Sequence, residues 1–61
     1  MKTVLRIIDK KGSVYIDLNK KYNVLPKKGD YITFNGNNYI VMYLDFDFDD
    51  EVVYIIIKNN K

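Results

Sequence analysis

The 61 residues predict an all-β domain, a small five-stranded barrel, and three observations carry that reading. The chain has no Ala, no Gln and a single Glu, so strong helix formers are nearly absent. Ile, Val, Thr, Tyr and Phe dominate instead, and these residues fit a pleated, half-buried surface. Turn signals then cut the chain at short intervals: Lys10-Lys11-Gly12-Ser13, Pro26-Lys27-Lys28-Gly29-Asp30, Asn35-Gly36-Asn37-Asn38 and Asp49-Asp50. Several short strands at this spacing are the pattern of a small sandwich or barrel.

The first strand is expected over 2–9 and the second over 13–18. Residues 19–29 read as a longer loop with room for one helical turn. The third, fourth and fifth strands are expected over 30–35, 38–47 and 51–58. Asn35-Gly36 is the strongest hairpin signal, because a type I′ turn needs positive φ at both central residues. If Asp49-Asp50 is a two-residue turn, Phe46 faces Val53, Leu44 faces Ile55 and Met42 faces Ile57. One face of that hairpin is then wholly apolar: Ile40, Met42, Leu44, Phe46, Val53, Ile55 and Ile57. A slip of one residue would turn the other set inward, so the register is well specified. Leu5, Ile7, Val14, Ile16, Leu18, Ile32 and Phe34 complete the expected core, with Val24 and Leu25 capping it.

The run Pro26-Lys27-Lys28-Gly29-Asp30-Tyr31-Ile32, followed by Gly36 and Tyr39-Ile40-Val41, resembles a pattern of small SH3-like β-barrels. Many of these are short bacteriophage and mobile-element proteins. The resemblance covers roughly residues 26–58 and implies a fold but carries no activity with it, since the pattern recurs in proteins of unrelated function. It also implies a phage or mobile-element accessory role, as a virion component or an inhibitor of a host system. The groove that peptide-binding SH3 domains use has no recognisable motif here. An OB-like barrel, also five-stranded, is the competing architecture.

The chain reads as a single domain over 1–61, and a domain of this size buries only about 60% of its unfolded surface. Such domains commonly lean on a disulfide, a metal or a partner. With no Cys and no His, disulfides, thiolate sites and the usual zinc ligand and general base are excluded. No cofactor is expected. The N-terminal stretch lacks a long apolar segment, and no apolar run approaches the roughly 20 residues of a membrane span, so a cytoplasmic protein, or a virion component, is expected.

Formal net charge is +2, but residues 1–30 hold eight Lys or Arg against three Asp, and residues 31–61 hold two Lys against five acids. Three lysine pairs, Lys10-Lys11, Lys20-Lys21 and Lys27-Lys28, fall in expected loops. With Tyr15, Tyr22 and Tyr31 they would suit nucleic acid, as a basic surface with stacking platforms; as plain solubilising lysines they would suit nothing in particular. Asp45, Asp47 and Asp49 alternate and so point one way, yet an EF-hand loop needs Gly at its sixth position and Glu at its twelfth, where this chain has Asp50 and Ile56. No metal site is expected; a solvated hairpin that guards an edge is the simpler meaning.

The hairpin's second face, Tyr39, Val41, Tyr43, Val52, Tyr54 and Ile56, is the expected protein-binding patch. Val52-Val53-Tyr54-Ile55-Ile56-Ile57 is an unbroken apolar run, which normally means burial on both faces. Either the rest of the chain covers that face, through Val4, Ile8 and the 19–29 loop, or a second copy or another protein does. The only serine, Ser13, has no histidine to activate it, so neither an enzyme nor a small-molecule substrate is expected.

Overall fold

A computed structural model describes residues 1–61. It contains five strands and no helix: β1 (Lys2–Asp9), β2 (Gly12–Asp17), β3 (Tyr31–Phe34), β4 (Asn37–Asp47) and β5 (Val52–Asn59). Every end lies within one residue of the sequence expectation.

Turn chemistry sets those ends. Asn35 and Gly36 have φ of 51° and 78°, the positive pair that a type I′ turn requires, and Phe34 pairs with Asn37 across them. Lys10 and Lys11 form a second two-residue loop, closed by Asp9 opposite Gly12. There the Lys11 N–H donates to Asp9 Oδ1 at 2.7 Å. The last hairpin is looser than the expected two-residue turn. Its ladder ends at Asp47 opposite Val52, Glu51 takes φ 55°, and the Asp50 N–H donates to Asp47 Oδ1 at 3.1 Å.

The strand order is β2-β1-β5-β4-β3. β1 runs parallel to β5 and every other neighbour is antiparallel. The sheet is open, with β2 and β3 as free edges, so the all-β class holds and the strands do not close on one another. Residues 18–30 carry the chain from the β2 edge to the β3 edge without a helical turn.

One irregularity decides which side chains are inside. The β4–β5 register is as expected from Phe46 opposite Val53 to Leu44 opposite Ile55, but it shifts between Val41 and Tyr43. Val41, not Met42, then faces Ile57. Met42 is the extra residue of a bulge, and beyond it the alternation reverses. The reversal is anchored from the β3 side: the Val41 N–H donates to the Asp30 carbonyl at 2.8 Å and the Gly29 N–H to the Val41 carbonyl at 2.9 Å. Tyr39 and Val41 therefore turn into the core, and Ile40 and Met42, expected inside, are only half-buried.

The core joins Leu5, Tyr39, Val41, Ile55 and Ile57, with Ile7, Ile16, Leu18, Leu25, Ile32, Phe34 and Leu44 packed against them. As the central strand, β5 is the most deeply buried: Val53 is 2% exposed, Ile55 4%, Ile56 1% and Ile57 0%. Each such side chain stabilises the fold by about 1.5–3 kcal/mol relative to leaving it in water. Val24, expected to cap the core, lies in the open. Beside Val53 in the ladder, Thr3 is fully buried and its Oγ1 has no hydrogen-bond partner.

Candidate functional site

Cross-strand partners share a face of the sheet, so the ladder registers lay out the side opposite the core row by row. One row reads Tyr15 on β2, Arg6 on β1, Ile56 on β5 and Tyr43 on β4. The next reads Asp17, Val4, Tyr54 and Asp45. The Tyr15 and Tyr54 rings meet edge to face, with centroids 6.0 Å apart at 80°. The Arg6 guanidinium carbon sits 5.6 Å from the Tyr15 ring centroid, and its Nε donates to Ser13 Oγ at 3.1 Å. Arg6, Tyr15, Asp45, Tyr54 and Ile56 line one shallow depression of about 260 Å³. Tyr15 (58%) and Tyr43 (50%) are open to solvent, and Tyr31, at the β3 end of this face, is also exposed.

Of the six residues expected to bind protein, this surface keeps two in strength. Tyr43 and Tyr54 belong to it. Val52 is half-buried in its lower row, between Lys2 and Asp47. Tyr39 and Val41 do not belong, because the bulge turns both inward. Ile56 stays on this face but is covered, since the long side chains of Arg6 and the tyrosines lie around it. Arg6 was not among the expected residues. The two-residue turn at Lys10-Lys11 is the signal that could have found it, because that turn places Arg6 opposite Tyr15.

The residues of the basic alternative are scattered. Lys10-Lys11 caps one end of β1, and Lys20-Lys21 lies at the other, where the Lys20 carbonyl accepts the Thr3 N–H at 3.1 Å. At the usual strand rise those ends are about 20 Å apart. Lys27-Lys28 precedes Gly29 on the β4 side of the molecule. Tyr15 and Tyr31 face outward on different edge strands, and only Tyr22 is joined to a lysine, with Lys20 Nζ 5.2 Å from its ring centroid. Lys21 instead borders the acidic hairpin tip, sharing a depression with Asp50 and Glu51. The charge asymmetry along the chain thus folds back on itself at this end. No three of the carboxylates come together in a group that could hold a metal ion.

The environment of Asp17 favours its charged form. Its hydrogen bond with Lys2 Nζ, at 2.6 Å, and the Asn19 N–H at 2.7 Å hold its carboxyl below the usual aspartate range. On the core side, an apolar cleft of about 260 Å³ runs between the 22–26 segment and β3, lined by Leu25, Pro26, Ile32 and Phe34 among others. It contains no acid, base or cation that would orient a polar ligand. What the outer face can do chemically is pack: aromatic area, one guanidinium, and the carboxylates of Asp45 and Asp47, neither joined to a cation. No protein-family model matches the chain, and neither a curated protein nor a solved structure matches it.

Proposed function

We infer that this chain is a non-enzymatic protein–protein interaction module that docks its partner on the outer face of the sheet. The observation that carries the reading is the row Tyr15–Arg6–Ile56–Tyr43 with Tyr54 beside it. Tyrosine and arginine are the residue types in which binding energy concentrates, because they offer large area with a polar tip. Here they are clustered across four strands and held in place by ladder pairing and ring contacts. Nothing on that face supplies a nucleophile with a base beside it.

The SH3-like reading rests on the 26–58 run, which spans the β3–β4–β5 meander, and adds a phage or mobile-element accessory role acting in the cytoplasm or the virion. A nucleic-acid-binding domain is the second reading, favoured by the Lys20–Tyr22 contact alone. Salt separates the two, since apolar docking is salt-tolerant and phosphate binding weakens steeply as counterions compete. In light scattering at low and high salt, with and without a mixed-sequence oligonucleotide, the oligonucleotide is expected to leave the protein's mass unchanged. A salt-sensitive shift would overturn the ranking.

A further inference from the structure

The geometry points to a two-fold dimer in which β2 pairs antiparallel with β2 of a second copy, centred on Tyr15, joining two sheets into one. This inference rests on the protein-binding reading above but uses the sheet's edge rather than its face.

β2 is bonded on one side only. The phase of its free side follows from one hydrogen bond: the Leu18 N–H donates to the Thr3 carbonyl at 3.1 Å, so Leu18 faces β1. Antiparallel ladders alternate, so Ile16 and Val14 also face β1, while Ser13, Tyr15 and Asp17 direct their N–H and C=O groups outward. Native edges are usually guarded by lysines, a proline, a bulge or a cover. Gly12–Asp17 has no Lys, no Pro and no bulge, and five of its six residues are exposed. Its one charge, Asp17, is already tied to Lys2.

The three outward residues are symmetric about Tyr15, and that symmetry selects the register. With a two-fold axis at Tyr15, each Ser13 stands opposite an Asp17, and each pair exchanges two backbone bonds. A shift of two residues either way loses one of those three pairs. On the core side the same register sets Val14 opposite Ile16, covering two apolar side chains at the edge. On the outer side it brings the copy's Asp17 beside Ser13, whose hydroxyl accepts from Arg6, so carboxylate meets guanidinium there, while beyond the strand ends the Lys10-Lys11 turn comes level with the copy's Asn19 and Lys20. The contact is isologous and closes on itself. It also joins the two tyrosine rows, Tyr43–Ile56–Arg6–Tyr15 and their mirror, into one continuous docking surface.

The test is light scattering of the whole chain from micromolar to millimolar concentration, with backbone amide exchange measured at both ends of that range. The mass is expected to rise from 7.3 kDa to twice that value, while the Ser13, Tyr15 and Asp17 amides slow. Ser13→Pro removes an outward donor without touching the β1–β2 ladder, which edge positions tolerate. It should stay monomeric where the wild type is dimeric, with an unchanged circular dichroism spectrum. Tyr15→Lys, which sets two cations at the axis, should do the same. Tyr43→Ser should leave the dimer intact. A wild type that is monomeric throughout overturns the inference, as does a dimer whose β2 amides exchange no more slowly than in the monomer. Loss of the dimer in Tyr43→Ser would also overturn it, by placing the second copy on the face, yet would leave the protein-binding reading standing.

Discussion

The two edges of this sheet are built differently. β3 has four residues, of which Tyr31 and Thr33 are the ones that point backbone groups outward by the phase of the Asn35-Gly36 turn. The 22–26 segment runs alongside it, and two lysines and a proline stand just before it. β2 has six residues with no Lys, no Pro and no covering segment along them, its lysine pairs standing only beyond its two ends. A short strand tucked under a loop offers a second chain little to pair with; a longer bare one offers a template. The difference places self-association at β2 and leaves β3 as the side where the chain completes its own core.

The largest effect that would sharpen this contrast is on stability. Val41→Ala removes a fully buried side chain that couples β3 and β5 at the bulge, and should cost about 2 kcal/mol in chemical denaturation. Val14→Ala, on the bare edge, should cost no more than about 0.5 kcal/mol in the monomer. Equal losses at the two sites would mean that the edges are equally integrated. Next is Thr3, whose buried hydroxyl lacks a partner. Thr3→Val is expected to raise stability by about 1 kcal/mol, because no hydrogen bond is lost and a desolvated polar atom is removed. A destabilised valine variant would mean that the hydroxyl is satisfied in solution.

The smallest effect belongs to Asp17. Its folded-state pKa is depressed, so the folded chain binds that proton less readily than the unfolded one. Its contribution is therefore complete above the ordinary aspartate value of 3.8 and fades as pH falls through the lower folded value. Asp17→Asn should lower stability slightly at neutral pH, and the difference from the wild type should close as pH falls through the folded value, flattening the acid limb. An unaltered acid limb would mean that the Lys2 contact is not held.

Much of this was legible in the sequence, because turn chemistry is local. Asn35-Gly36 and Lys10-Lys11-Gly12 mark their hairpins, so strand ends came out correctly. The register near the last hairpin also followed, since Phe46 opposite Val53 is set by the nearby turn and by apolar matching. The reversal at Met42 was not legible. It depends on bonds from Gly29 and Asp30 to Val41, which alternation within one strand does not reveal. Parallel pairing of β1 with β5 was also hidden, since it joins segments at opposite ends of the chain. The run Val52–Ile57 did carry the clue. It is apolar on both faces because β5 is the central strand, so much of what looked like an exposed patch is the sheet's own interior. The site shrank to Tyr43 and Tyr54 and gained Arg6 and Tyr15, a cluster that only the assembled strand order brings together.

Amide exchange read along both edges in one sample, at low and at high protein concentration, tests the difference between them most directly. Protection is expected to grow with concentration at Ser13, Tyr15 and Asp17 and to stay unchanged at Tyr31 and Thr33. Growth at Tyr31 and Thr33, or none at either edge, would contradict the account.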